Sequence, residues 1–499
     1  MTQFVPSTGG ELDRGSIKRA SITGMGVNLT SQLLRLLLAF VYQVAISRIL
    51  VPSDFGLVAM AAPALAFVGL FADFGLTMAT IQRAQITQAQ LSFLFWVNGA
   101  LSLLLSVAVI AVAPVAGWFY GEPRVGPILA ALGGLFFLRG LCAQHLALLN
   151  RRLMFVRLAV IDMASLVGGA LVGVATALYG FGYWSLVANQ ATSTALTVVL
   201  AWLCMRWVPG RPAWDAEARS LLGFGGNVTA FNFVNYFARN LDNVLIGRFH
   251  GEVALGLYDR AYKLFLLPLS QVTGPIGKVA LPLLARTLHE PDLYRRSYLG
   301  MLEAILLLTS PAVLFAMCTS HQLIVTMLGD RWADVAPIFS VLAVGALFAP
   351  VGHSTGWLFL SQNRTREMRN WGTIGSVMFV ISFVIGLPWG ALGVAVSYVT
   401  VGLFQGPMVW WAATRRGPVT FKQLALALYP YAVAAAATVV VEYNLQRLLP
   451  QGLGPLVLLL AAAYGAFFAT LAVLPRGRNT FSALLVQGRA YLAGIGART

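Results

Sequence analysis

Charge is what this chain has least of: only 10% of its 499 residues are Asp, Glu, Lys or Arg, while 58% are hydrophobic. The mean hydropathy is +0.76. Acidic residues are rarest, 18 against 34 Lys and Arg, which leaves a net charge of +16. Such a balance raises nucleic acid as a partner. The basic residues lie beside apolar runs and not in one tract, which excludes it. Cysteine is nearly absent. Cys142, Cys204 and Cys318 fall in or at the ends of apolar runs without CxxC spacing, so neither a disulfide framework nor a zinc site follows. No His/Cys/Asp/Glu cluster has metal-ligand spacing, and no polar segment is long enough to fold into a catalytic domain. Gly223-Phe224-Gly225-Gly226 opens an apolar run instead of following a strand, so it is no phosphate-binding nucleotide loop.

What fills the chain is apolar runs joined by short connections. Spans 1 to 14 cover about 24–47, 55–80, 91–114, 127–149, 157–178, 182–204, 221–246, 257–286, 299–319, 335–360, 370–387, 390–412, 421–442 and 453–475. Each approaches or exceeds the roughly 20 residues a helix needs to cross hydrocarbon. In lipid every backbone polar group must be satisfied internally, so these runs are helices. Pro52, Gly121-Glu122-Pro123 and Pro388-Trp389-Gly390 separate neighbours. The first twenty or so residues are polar and lack an A-x-A-like cleavage pattern after the first apolar run. They read as a retained cytoplasmic arm, not a signal peptide.

Lys and Arg crowd into every second connection. The side that begins with Arg14, Lys18 and Arg19 carries 23 of them, the other only five, Arg48, Arg124, Arg248, Arg331 and Arg447. By the positive-inside rule both termini are cytoplasmic and the number of helices is even.

A weak repeat runs through the chain. Arg48-Ile49-Leu50 through Phe55-Gly56-Leu57 sits 200 positions before Arg248-Phe249-His250 through Leu255-Gly256-Leu257. Asn150-Arg151, opening span 5, pairs with Asn363-Arg364 before span 11. The expected architecture is all-α and integral to the membrane, with about 14 transmembrane helices in two pseudo-symmetric six-helix lobes plus two C-terminal helices. Residues 1–20 form the arm, 21–208 the N-lobe, 209–414 the C-lobe, 415–476 spans 13 and 14, and 477–499 a cytoplasmic tail. Because six is even, both lobes enter the bilayer the same way round, a parallel repeat suited to alternating access.

Ionisable groups within spans cost a few kcal/mol each and usually face an interior cavity. Arg35 lies near the middle of span 1, Arg139 near the middle of span 4, Arg239 toward the outer end of span 7, and Lys278 well inside span 8. Lys263, nearer the start of span 8, joins them as a candidate. Arg35 and Lys278 have no carboxylate within about a turn of their own helix. An excess of buried positive charge needs an anion, and a diphosphate suits the donor fork of Arg. Asp73 and Asp242 are candidates for ion coupling (H+ or Na+) or internal pairing, Asp242 sharing a helix face with Arg239. Asp162 and Glu303 lie within about a turn of the cytoplasmic boundary and read as structural or interfacial. His353 reads as a satisfied interior histidine. No cofactor is indicated.

Span 8 carries Pro268, Gly274, Pro275, Gly277 and Pro282. Prolines and glycines in one span predict kinks, and Pro268, Gly274 and Pro275 are the expected gating bend.

Several stretches resemble one family. They are Asp242-Asn243-Val244-Leu245-Ile246-Gly247-Arg248, then Leu255-Gly256-Leu257-Tyr258-Asp259-Arg260-Ala261-Tyr262, then Leu267-Pro268-Leu269-Ser270-Gln271. Ser47-Arg48-Ile49-Leu50 with Asp54-Phe55-Gly56-Leu57, and Gly329-Asp330-Arg331-Trp332, add to them. Over roughly residues 15–415 the chain looks like the polysaccharide synthase branch of the MOP superfamily, the Wzx-like oligosaccharide flippases. The resemblance implies a fourteen-helix, non-enzymatic transporter of the bacterial inner membrane. It would carry undecaprenyl-diphosphate-linked oligosaccharide to the periplasmic leaflet, act as a monomer, and work beside the polymerase and co-polymerase of the same pathway. In the related lipid II flippases basic residues of helices 1, 2, 7 and 8 face the cavity. Arg35, Arg239 and Lys278 fall on the first, seventh and eighth here, and the second has no counterpart. A multidrug/cation antiporter of the same superfamily would have twelve helices and acidic groups for cationic cargo. A membrane-embedded polymerase or ligase would carry a large periplasmic loop.

Overall fold

In the computed structural model the described residues are 14–72, 76–83, 86–211 and 226–478. Asp73 and the side chains of Arg239 and Pro268 lie outside the description. The described elements are helical, with no strand among them. Ten stretches are long and apolar enough to cross a bilayer, and one of these, Thr365–Thr414, is two helices, Thr365–Gly386 and Gly390–Thr414. The first helix, Arg14–Ile49, and the two halves of Gly226–Arg286 bring the number to fourteen. The chain is a multi-pass membrane protein. It divides into two compact units, Met1–Gly256 and Leu257–Thr499.

Three boundaries differ from the hydropathy reading. Span 2 is interrupted, with helices Pro52–Gly69 and Leu76–Gln82. Spans 7 and 8 have almost no connection: the helix runs Gly226–Arg286 with one non-helical residue, Gly251 (φ 78°, ψ −174°). Residues 247–256 contain enough polar side chains to lower hydropathy, yet nothing in them but Gly251 breaks a helix. The backbone is helical through Pro268, Gly274 and Pro275, the residues of the expected bend. Between spans 9 and 10 a short helix, Ser320–Leu328, and a 3-10 turn, Asp330–Trp332, pack under the membrane helices.

Lipid tails are as apolar as leucine, so helices in a membrane associate through close packing of small residues and through polar contacts. Span 5 meets span 6 at Gly169 and Gly173, where a Cβ would come within 2.9 Å of Ser193 and Asn189 Cβ atoms respectively. Span 3 meets span 4 at Gly133 and Gly140, the latter against Ser102. The outward faces carry large apolar side chains such as Leu104, Trp118, Phe404 and Val457.

The repeat has a structural signature. Gly56 lies so close to Glu252 that a Cβ would fall 1.7 Å from its carbonyl oxygen, and at Gly256 a Cβ would fall 2.0 Å from that of Pro52. Moving 56 forward by 200 and 252 back by 200 turns the first pair into the second. Reciprocal contacts of this kind are what a local two-fold relation between like segments produces. The turns after spans 4 and 10 also match. Leu153 and Asn363 both have φ 56°, and each is preceded and followed by the same hydrogen bonds: Leu153 N to Asn150 O and Met154 N to Leu149 O in one, Asn363 N to Leu360 O and Arg364 N to Phe359 O in the other. This aligns Met154 with Arg364, so the Asn150-Arg151 and Asn363-Arg364 identities are out of register by three residues.

The motif around residue 260 packs inside the second unit. Arg260 is 1% exposed and stacks over the ring of Trp332 at 5.4 Å, which joins two of the stretches that carried the family resemblance. Loop arginines cap helix ends. Arg157 donates to Cys204 O at 2.7 Å, and Arg364 to the carbonyls of Ala412 and Ala413 while gripping Glu367 through both carboxylate oxygens. These terminal carbonyls have no partner within their own helix.

Candidate functional site

The structure distributes the predicted cations unevenly. Arg35 is not alone: its guanidinium lies 3.7 Å from the Asp162 carboxylate of span 5, both side chains being more than half exposed. The sequence placed no counter-ion near Arg35 because the partner comes from another helix. Lys263 is likewise compensated, by Asp259 one turn earlier at 2.8 Å. Asp242 is buried and accepts from the backbone N–H of Asn243 at 2.8 Å. Arg139 and Lys278 are exposed and make no ion pair among the described residues. His353 has an interaction and lines a pocket between the helices.

Arg139 stands at a built site. It projects from the middle of the helix Val125–Arg151, about 18 Å from the Arg151 end at 1.5 Å per residue. Its neighbour Gly140 presses on span 3, where an added Cβ would meet Ser102 Oγ at 2.3 Å. That contact fixes the packed face of span 4 and leaves Arg139 on a cleft of about 530 Å³. Thr77 from the second half of span 2 and Asn189, Gln190, Ser193, Thr194 and Thr197 from span 6 complete its polar lining.

Span 6 supplies that wall because its polar residues follow helical spacing along one face of Trp184–Met205. Two of them also hold span 5. Ser193 Oγ donates to Ser165 O at 2.9 Å, and Thr197 Oγ1 to Ser165 Oγ at 3.0 Å. Asn189 and Gln190 make no side-chain hydrogen bond among the described residues. A guanidinium on one cleft with two amides and several hydroxyls offers donors suited to an anion or to hydroxyl groups. The sequence pointed to Arg139 as a candidate but not to the span 6 residues that share its cleft. The signal was present in Asn189-Gln190-Ala191-Thr192-Ser193-Thr194, a polar stripe inside an apolar run.

The helical fold is shared with solved membrane transporters. A solved structure of the lipid II flippase MurJ in an inward closed conformation aligns with a TM-score of 0.72 at 11% identity, covering 91% of this chain and 99% of that one. An inward-facing MATE family transporter of the MOP superfamily aligns with a TM-score of 0.60 at 13% identity, covering 76% of this chain and 93% of that one. These likenesses establish the fold alone.

The chain belongs to the polysaccharide biosynthesis protein family, whose profile matches residues 45–337. It is 24% identical over 436 residues to lipopolysaccharide biosynthesis protein WzxC of Escherichia coli, covering 86% of this chain and 88% of the relative. It is 24% identical over 468 residues to succinoglycan biosynthesis transport protein ExoT of Rhizobium meliloti, covering 91% and 92%. To teichuronic acid biosynthesis protein TuaB of Bacillus subtilis it is 26% identical over 342 residues, covering 65% and 68%.

Proposed function

We propose that this protein is a flippase, not an enzyme, that moves undecaprenyl-diphosphate-linked oligosaccharide across the bacterial inner membrane for polysaccharide biosynthesis. The observation that carries this reading is the Arg139 cleft, lined by a guanidinium, amides and hydroxyls midway along span 4, in a member of the polysaccharide biosynthesis family. A transporter has to offer a charged headgroup a substitute for water at that depth. Arg139 supplies charge and a bidentate donor fork to phosphate, and Asn189 and Gln190 supply donors and acceptors. Arg35, Arg239, Lys263 and Lys278 remain candidates for further contacts to the headgroup.

Alternating access exposes the cleft first to one leaflet and then to the other, with both termini on the cytoplasmic side. The protein acts as a monomer beside the polymerase and co-polymerase that consume its product. A cation antiporter needs acidic groups where this cleft carries Arg139.

In a clean deletion, lipid-linked repeat units should accumulate on the cytoplasmic leaflet while surface polysaccharide falls. Normal export in that strain, with no paralogue present, overturns the reading. Arg139→Gln should lower export more than tenfold at wild-type protein level, because a phosphate left without its partner in low dielectric loses several kcal/mol. Arg139→Lys should keep part of it.

A further inference from the structure

Among the described residues, Glu442 is the one acidic side chain that is fully buried with neither carboxylate oxygen hydrogen-bonded. It lies in span 13, the helix Phe421–Leu448, six residues or about 9 Å before the C-terminal end. Burying a carboxylate is costly unless a cation or hydrogen-bond donors compensate it. The polar side chains of its own helix are engaged elsewhere. Thr438, one turn before, donates to Ala434 O, and Gln446, one turn after, donates to Cys318 O, both at 2.8 Å. Arg447 is exposed and lies over the Tyr443 ring, 4.2 Å from its centroid. Lys422 sits about 30 Å away along the helix, and Tyr429 and Tyr431 are three turns or more distant.

The helices packed against span 13 bring no counter-ion. Span 14, Leu453–Val473, contains no Asp, Glu, Lys, Arg or His, and its Tyr464 donates to Leu308 O at 3.2 Å. Span 12, Gly390–Thr414, has Tyr398 as its one titratable side chain, and that ring lies against Phe379. In span 9, Pro291–Cys318, the charged residues Asp292, Arg295, Arg296 and Glu303 fall in the first half, with Tyr294 and Tyr298. Glu303 is about 22 Å along that helix from Cys318. The group of span 9 within electrostatic reach of Glu442 is the Cys318 thiol. His321, just beyond, is exposed. The same three helices otherwise meet through apolar side chains, Phe315, Leu456, Leu459 and Ala463. A metal cation needs several oxygen ligands converging with the carboxylate, and a thiol among apolar groups supplies none.

We propose that Glu442 is a proton-binding site at the junction of spans 9, 13 and 14, a carboxylic acid that stays un-ionised at neutral pH. Its proton leaves as H+ when the acid ionises, and an uncompensated charge then stands between the helices. The protonated form is therefore what holds the last two spans against span 9. The site lies beyond residues 45–337, the segment that the family profile matches, and does not depend on the Arg139 cleft.

The test compares wild type with Glu442→Gln, a neutral side chain of the same shape, in the full-length protein. Infrared difference spectra between the two in lipid nanodiscs at pH 7 should contain the C=O stretch of an un-ionised carboxylic acid and lack the paired stretches of a carboxylate. Melting of the detergent-solubilised proteins is the second readout. A proton held by the folded chain and released by the unfolded one makes stability fall as pH rises, starting near the ordinary glutamate value of about 4.3. In that window the folding equilibrium of wild type should drop about tenfold per pH unit relative to Glu442→Gln. At pH 7 the variant should melt with wild type or above it.

Carboxylate bands in place of the C=O stretch at pH 7 overturn the proposal, and a response of those bands to Na+ would identify a cation site instead. So does a Glu442→Gln variant that fails to fold or melts well below wild type at pH 7, as happens when the partner of a buried ion pair is stranded. Parallel pH profiles for the two proteins exclude the site as well.

Discussion

The reciprocal glycine crossing yields a sharp expectation. At Gly56 an added Cβ would stand 1.7 Å from the Glu252 carbonyl oxygen and 2.5 Å from its carbon; at Gly256 it would stand 2.0 Å and 2.8 Å from those of Pro52. Ordinary carbon contacts are about 3.5–4.0 Å, so the two segments must part by about 1.5 Å. The obstacle in each case is backbone, and no side-chain rotation relieves it. Overpacking of this kind typically costs about 1–3 kcal/mol and here should reach or exceed the upper end.

Gly56→Ala and Gly256→Ala should therefore each lower the melting temperature of the purified protein by several degrees, while Gly352→Ala, with open space, should not. The double variant discriminates further. One separation accommodates both methyls, so its loss should fall short of the sum of the singles by about 0.5–3 kcal/mol. Heating detergent-solubilised protein and quantifying the soluble monomer by size exclusion measures all four. Single variants that melt with wild type, or a double variant that is strictly additive, would refute the reciprocal crossing.

Three further expectations concern charge and orientation. Cysteines introduced near Pro123, Gly251 and Arg447 should be labelled by an impermeant reagent from outside, and those near Arg152, Arg296 and Arg416 should not; labelling of both sets from one side rules out the orientation. Asp162→Asn keeps the side-chain shape and should leave the melting temperature close to that of wild type in the same assay. If the pair matters to transport, export lost in Arg35→Asp and in Asp162→Arg should return in part when both are combined; no recovery means that the 3.7 Å contact is incidental. Glu122 accepts from Arg124 at 2.7 Å in the connection between spans 3 and 4, which holds its carboxyl below the usual range. A depressed folded-state value stabilises above the unfolded pKa, and that support fades as pH falls through the lowered one. Wild type should thus lose a small stabilisation on acidification that Glu122→Gln, tested by the same melting assay, lacks at every pH.

Much of this protein was legible without coordinates. Fourteen apolar runs, positive charge in alternate connections and Arg139 at the middle of span 4 follow from the sequence alone, because hydrocarbon thickness and backbone desolvation act on each segment separately. Gly56 and Gly256 stood 200 positions apart before their contact was visible. The family resemblance also emerged from short local motifs, such as Tyr258-Asp259-Arg260 and Asp330-Arg331-Trp332.

What the tertiary structure decided was every partnership between segments. Asp162 reaches Arg35 from a helix more than a hundred residues away, Arg260 finds Trp332, and polar residues of span 6 face Arg139. Hydropathy read along a chain reports which residues tolerate lipid but not which side of a helix faces a neighbour. The junction at Gly251 escaped for the same reason in reverse: polar side chains lowered the hydropathy of residues that are helical, and one positive φ made the turn. In the pocket of spans 10 to 12, aromatic residues scattered over some sixty positions line one cavity only once three helices have packed.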